Sequence, residues 1–330
     1  NAAVVIDYIT CKKESGGGIR GGAFHSIGKD RTSIDDMLSA NYNNGKSEFS
    51  ANVRFIQRKG DWIREYDEKY LFPDHELERK EIGEPTLFNK KVLYSNLNYS
   101  LLEKDKYIFN VQFRYSYNDF PAGYEDRKSK LYSSGVDIPL SIYDHTVEKN
   151  HIPALDLYFH HNLKSNQSLI FNLVGTYIET KNTRIYQEIR ENIPETDILS
   201  DISGKKYSLI AEGIYEKRIG KSQFTGGIKH IQSYTDNKYT GTATTDVTMN
   251  QSESFAYGEY QLKTGKWSYM ANLTLSRFYY SQRNNKNEKY ALQPSLRVTY
   301  NPNQDLSFRY SAALKNNTPS IAYLNDVEQP

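Results

Sequence analysis

Residues Tyr107–Asn118 read Y-I-F-N-V-Q-F-R-Y-S-Y-N. Tyr107, Phe109, Val111, Phe113, Tyr115 and Tyr117 fall in one phase of a two-residue repeat. Asn110, Gln112, Arg114, Ser116 and Asn118 fall in the other, with Ile108 the single apolar exception. A strand points successive side chains to opposite faces, so this stretch predicts a strand with one apolar and one strongly polar face. It is longer than the usual globular strand of about 5–6 residues. It matches instead a strand of roughly 9–11 residues crossing a bilayer, with rings at both ends of its apolar face.

Working outward, the bulk composition limits the alternatives. The chain has 330 residues and a net charge of +2, which gives no reason to expect nucleic acid as a partner. It carries 28 Tyr and 14 Phe but one Cys, so a disulfide-stapled scaffold is excluded. A mean hydropathy of -0.73 argues against a helical membrane bundle. It does not argue against a barrel, which faces lipid with every second residue and carries large polar loops. No apolar run approaches the roughly 18 residues a membrane helix needs. The N-terminal N-A-A-V-V-I-D-Y-I-T lacks the features of a signal peptide and opens in mid-pattern, as expected of a fragment.

The same alternation recurs along the chain. Val4–Thr10 reads as a short apolar strand, and the glycine cluster Gly16–Gly22 as a flexible connector into a strand near Ile19–Gly28. Tight turns are predicted at Asn43-Asn44-Gly45-Lys46, Glu103–Lys106, Lys164–Gln167, Gly220–Ser222, Thr264–Lys266 and Asn301–Gln304. Between them lie polar stretches read as long loops, among them Lys59–Lys90, Pro121–Asn150 and Lys181–Gly204. Short turns at one end and long loops at the other, joining roughly 13 strands, describe an antiparallel transmembrane β-barrel. An odd strand count and two exposed edge strands imply further strands beyond this sequence. A passive porin or adhesin barrel and a soluble β protein are the competing classes.

The stretch Ala2–Lys13, A-A-V-V-I-D-Y-I-T-C-K-K, followed by glycines and a strand, resembles the plug-to-barrel junction of TonB-dependent outer-membrane receptors. Val5, Ile6, Ile9, Thr10, Lys12 and Lys13 match that pattern, while Cys11 departs from it. Pro319–Asn325 resembles a stretch found midway round such barrels, and the Asn/Lys/Tyr-rich style suggests the Bacteroidetes type. The resemblance implies a barrel of about 22 strands around a plug. Residues 1–17 would then end the plug and 18–330 would form the first part of the barrel. It further implies import of a scarce nutrient (metal chelate, glycan or peptide) across the outer membrane of a Gram-negative bacterium. The implied partners are TonB, outer-membrane lipid and the small ligand, and a surface lipoprotein over the external face is admitted.

Other signals are weaker. Gly-Lys-Ser at Gly45–Ser47 and Gly220–Ser222 lacks the earlier glycine of a phosphate loop, so both read as turns. His160 and His161 would point to opposite faces, so with His151 they make no metal site. Charge runs such as Asp35-Asp36 and Glu65–Glu68 read as solvated. No Ser/His/Asp or Cys/His arrangement emerges, so no catalytic residue, metal or cofactor is expected and the chain reads as a non-enzyme. The candidate ligand-binding residues are Trp62, Tyr66, Tyr124 and Tyr143, rings in external segments where they could stack on a sugar or chelate.

Overall fold

The computed structural model describes residues 15–124, 126–283 and 285–315. Val4–Thr10, Cys11 and Pro319–Asn325 lie outside them. The elements are β1 (Gly16–Ile27), β2 (Arg31–Asn43), β3 (Ser47–Trp62), β4 (Tyr66–Leu71), β5 (Glu76–Glu84), β6 (Thr86–Glu103), β7 (Tyr107–Ala122) and β8 (Arg127–Ser133). They continue with β9 (Leu140–Leu163), β10 (Gln167–Arg190), β11 (Ile193–Ile219), β12 (Ser222–Gly241), β13 (Thr245–Thr264), β14 (Trp267–Gln282), β15 (Asn285–Tyr300) and β16 (Phe308–Ala313). All belong to one antiparallel sheet whose main path is β1-β2-β3-β6-β7-β9-β10-β11-β12-β13-β14-β15-β16. That path has 13 strands. β4, β5 and β8 form a side branch that joins the path at β9. Among the described residues the outer edges of β1 and β16 carry no strand partner, so the described sheet is an open arc.

All six predicted turns close hairpins on the main path. Five of them take positive φ, at Gly45 (93°), Asp105 (64°), Asn166 (55°), Gly220 (56°) and Gly265 (55°). Both Gly-Lys-Ser stretches are such turns, and Lys46 of the first pairs with Glu103 at 3.1 Å.

The register fixes the tilt of the strands. Ser47 faces Leu101, two residues short of Glu103. Tyr107 faces His161, two short of Leu163, and Gln167 faces Lys217, two short of Ile219. Ser222 faces Leu262, two short of Thr264. Each hairpin is thus displaced by two residues from the last, or one residue per strand. A rise of about 3.3 Å per strand spacing of about 4.8 Å corresponds to a tilt of about 35°, within the range of membrane barrels.

One face is apolar and open. Leu97, Phe171 and Leu273 are 47%, 50% and 48% exposed, which a soluble core would not allow across so many neighbouring strands. Aromatic rings bound this face at both ends. Toward the turns, Phe49 meets Tyr99 at 4.7 Å and Trp267 meets Tyr300 at 4.4 Å. At the other end Tyr117 meets His151 at 4.8 Å, and Tyr177, Tyr207 and Tyr234 form a series at 4.9 and 6.4 Å. From Tyr107 to Tyr117 on β7, a climb at about 35° covers roughly 27 Å, the height of a lipid-facing band. The opposite face is a polar lumenal wall. There Asn110 bonds Asn98 and Ser100, Gln112 bonds Asn96, and Arg114 pairs with Asp156. Tyr257 lies across Gly227, where a Cβ would stand 2.4 Å from the ring, and its hydroxyl reaches Glu212 at 3.1 Å.

Two expectations are corrected. The glycine cluster is not a connector, because Gly16–Gly18 already pair with Tyr42 and its neighbours. A Cβ on Gly17 would stand 2.6 Å from the Asn41 carbonyl oxygen and 3.2 Å from the Tyr42 ring, so the strand needs glycine there. The polar segments are largely not loops either. Lys181–Gly204 is the far end of the β10–β11 hairpin, closed by Glu191 and Asn192 at φ 49° and 65°. Lys59–Lys90 holds the end of β3, β4, β5 and the start of β6, and Pro121–Asn150 holds β8 and the start of β9. Beyond the membrane both faces of a strand are wet, so the ladder continues without apolar alternation.

Candidate functional site

β8 pairs with β9 where β7 has ended, β5 pairs with β8, and β4 with β5, so the sheet gains an external floor beyond the upper belt. On the main path β10, β11 and β12 rise past the Tyr177–Tyr207–Tyr234 belt as its wall. The pairs Arg127–Asp144, Ser129–Ile142 and Leu131–Leu140 across β8 and β9 share one face. Register places Glu81 opposite Leu131, Tyr66 opposite Glu81, and Tyr186 opposite Asp144 on that same face. On β9 this phase continues the lumenal phase of Asp156, so the site looks toward the axis of the arc.

An apolar knot holds the site. Leu131, Leu140 and Ile142 are buried together, with Tyr186 packed against them. Beside it Glu81 has no side-chain exposure. Arg127 donates from Nη1 to both Glu81 oxygens, at 3.0 and 3.3 Å, and the Ser129 hydroxyl donates at 2.5 Å. Arg127 Nε lies 3.8 Å from Asp144 Oδ2, an ion pair without a hydrogen bond. Asp144 is held in a two-pronged pair by Arg184, Nε to Oδ1 and Nη2 to Oδ2, both at 3.0 Å. The two guanidinium groups lie 5.8 and 5.4 Å from the centre of the Tyr186 ring. The Tyr186 hydroxyl donates to Glu188 at 2.6 Å, and the Thr196 hydroxyl donates to the other Glu188 oxygen at 2.8 Å.

Burial and the Glu188 carboxylate push the Tyr186 hydroxyl up to about 12. Burial, then the Glu81 carboxylate, also raises Tyr66. Glu188 is held below the usual carboxylate range, first by the Tyr186 hydroxyl. All three lie outside the membrane band. The network therefore favours the charged form of Glu188 and the neutral form of the Tyr66 and Tyr186 phenols, an arrangement for hydrogen bonding and charge recognition. Arg184 is its most open cation, with a side chain 40% exposed. Among the described residues no group of three or more His, Cys, Asp or Glu could hold a metal ion.

The four rings singled out by sequence are dispersed. Tyr66 sits on β4 beside Glu81, within the network. Tyr124 stacks on Phe88 at 4.3 Å, over Gly60, where a Cβ would be 3.1 Å from the Phe88 ring. Trp62 ends β3 close by, and the Thr86 hydroxyl lies 3.1 Å from its carbonyl oxygen and 2.9 Å from that of Asp126. Tyr143 lies on the outer face of β9, with its ring 6.2 Å from His145. Sequence reading does not single out Glu81, Arg127, Asp144, Arg184 or Tyr186, because charges spread over separate strands form no local motif.

No family model matches the chain, and a search of curated proteins finds no match. Among solved structures, the siderophore receptor PiuA from Acinetobacter baumannii aligns over 92% of this chain and 49% of its own, with TM-score 0.53 and 14% identity. The fold is that of a transmembrane β-barrel. At this identity the likeness shows fold alone, and the chain spans about half the length of PiuA. Two more distant alignments reach TM-scores too low to support an argument. The ferric citrate transporter FecA, unliganded, gives 0.35 at 10% identity over 90% of this chain and 59% of its own. OmpT, an outer membrane protein of Vibrio cholerae, gives 0.27 at 11% identity over 90% of this chain and 99% of its own.

Proposed function

We propose that this chain belongs to a TonB-dependent receptor in a Gram-negative outer membrane, importing a small metal chelate by energised, non-enzymatic transport. The observation that carries the reading is the likeness to PiuA, a siderophore receptor, over 92% of the chain. The upward continuation of the lumenal wall, with Arg127, Arg184, Tyr66 and Tyr186 on its inner face, supports it. Arg184, the most open cation of the network and paired with Asp144, and the rings beside it are suited to an anionic chelate that presents carboxylate or catecholate oxygens. In this reading the segment before β1 ends a plug, β1 onward forms barrel, and TonB acts through plug residues upstream.

The test is uptake in a host stripped of its own receptors and expressing the full protein. Cells are offered radioiron chelates, with and without TonB. Uptake that disappears without TonB supports the proposal. Equal uptake in both hosts refutes it in favour of a passive pore, and no accumulation of any chelate moves the substrate class to glycans or peptides.

A further inference from the structure

Just above the upper tyrosine belt, on the lipid-facing side, one register row is unusually basic. It runs Lys91 (β6), Asp119 (β7), Lys149 (β9), Lys181 (β10), Ser203 (β11) and Lys238 (β12), each opposite the next. Lys91 lies 3.5 Å from Asp119. Lys149, Lys181 and Lys238 are exposed, and among the described residues none has a carboxylate within 4 Å. Lys149 and Lys181 face each other directly across adjacent strands. Like charges at such a pair are destabilising. The row beneath does the opposite: Glu179, Lys205 and Asp236 are in register, so its charges alternate in sign. The chain balances charge in one row and leaves it unbalanced in the next.

We infer that the Lys149–Lys181 pair is a docking site for the phosphate of an outer-leaflet lipid headgroup, which rests on the membrane orientation proposed above. An anion between the two ammonium groups converts a repulsive pair into two charge-assisted contacts. Height favours a lipid over a soluble anion. The row stands two residues above Tyr117 and His151 and four above Tyr177, Tyr207 and Tyr234. At about 35° of tilt that is about 5–11 Å beyond the belt, at headgroup level. Lys149 Nζ also lies 5.6 Å from the centre of the Tyr117 ring, which holds the cation at the edge of the apolar band. The nearest acid on that face below the pair is Glu179, and it accepts from the Tyr177 hydroxyl at 3.4 Å.

The experiment uses the full protein in neutral detergent micelles, titrated with lipid A (a bisphosphorylated, acylated diglucosamine) and read by native mass spectrometry. The Lys149→Gln/Lys181→Gln variant should bind lipid A about tenfold more weakly or worse. It should keep the heat-modifiable migration of a folded barrel, with stability equal to or above the parent. Lys221→Gln/Lys266→Gln, which neutralises turn-side lysines, should bind as the parent does. Unchanged lipid A affinity in the first variant overturns the inference. So does complete displacement of lipid A by excess inorganic phosphate, which would make this a free-anion site. A parent protein that shows no heat-modifiable migration and does not enter vesicles refutes the membrane reading itself. Failure of the lipid site alone leaves that reading intact.

Discussion

Replacing Arg127 by Met would remove the cation from a carboxylate that has no contact with water. Glu81 would keep the Ser129 hydroxyl at 2.5 Å and lose both contacts from Nη1. Breaking a buried ion pair by deleting one partner costs about 3–5 kcal/mol. Arg127 itself retains 13% side-chain exposure and Ser129 still donates, so the lower end, about 3 kcal/mol, is expected. The loss should be local, because β4, β5 and β8 branch from the main sheet at β9 while the barrel strands keep their own ladders. At about 1.4 kcal/mol per factor of ten, amide exchange in β5 and β8 should quicken about 150-fold, with β10–β12 unaltered. Hydrogen exchange read by mass spectrometry on peptides 76–84 and 127–133 measures this. A second variant, Glu81→Leu/Arg127→Met, should recover most of the protection, since an apolar pair of similar volume carries no stranded charge. Unchanged exchange in Arg127→Met, or equal acceleration across the whole barrel, would refute the assignment of this pair as the clamp of the external floor.

Other features give independent tests. The two tryptophans report depth: Trp267 lies in the turn-side belt and Trp62 ends β3 in the external region. Brominated lipid should quench the Trp267 contribution, read as the parent minus Trp267→Phe, and spare the Trp62 contribution, read as the parent minus Trp62→Phe; the reverse pattern would contradict the membrane band. Gly241 adopts φ 119° with the Leu199 carbonyl oxygen 2.1 Å from where a Cβ would stand, so Gly241→Ala should cost about 1–3 kcal/mol. Gly258→Ala, with open space around it, should be near neutral in the same urea titration, and equal costs would remove the steric argument. Tyr186 titrates near 12 in the folded wall against about 10 in an unfolded chain. The folded state therefore holds its proton more tightly, and this stabilisation is complete below pH 10 and lost as pH rises from about 10 to 12. Tyr186→Phe should flatten the alkaline loss of exchange protection in β10 over that window, and an identical profile in both proteins would count against the buried phenol.

The barrel was legible because lipid enforces a simple code. Leu97, Phe113 and Leu155 share a row on the outer face, while Asn96, Arg114 and Ala154 face the lumen, so alternation survives strand after strand. Turn chemistry was equally plain where Gly45, Gly220 and Gly265 had to take positive φ. The code fails where lipid stops. Thr183, Ile185 and Gln187 pair in register with Asp201, Leu199 and Asp197, yet no apolar phase marks them as strand. Gly16–Gly18 misled for another reason: Gly17 leaves space for the Asn41 carbonyl and the Tyr42 ring, which only the pairing discloses. The candidate site was half legible. Tyr66 stood out as an external ring, but Glu81 depends on Arg127, 46 residues further along the chain.

That separation explains why so costly a pair stands in the external floor. β4, β5 and β8 are short strands with water on at least one side, and lipid does not dictate which face they show. Strands of this kind are prone to slip by one residue, which sends every side chain to the opposite face. A slip of β5 would bring Lys80 or Ile82 to the place of Glu81 opposite Leu131, leaving Arg127 without its Glu81 carboxylate. The ion pair contributes little net stability over an apolar one, but it penalises the wrong register heavily. Glu81→Leu/Arg127→Met should therefore be about as stable as the parent yet less uniquely paired. Cysteines at Lys80 and Tyr132, opposite each other in the native register, measure this. In the parent background they should cross-link nearly completely on mild oxidation, and in the double variant a fraction should pair with Ser133→Cys instead. Complete native cross-linking in the double variant would show that the apolar knot of Leu131, Leu140 and Ile142 sets the register without help from charge.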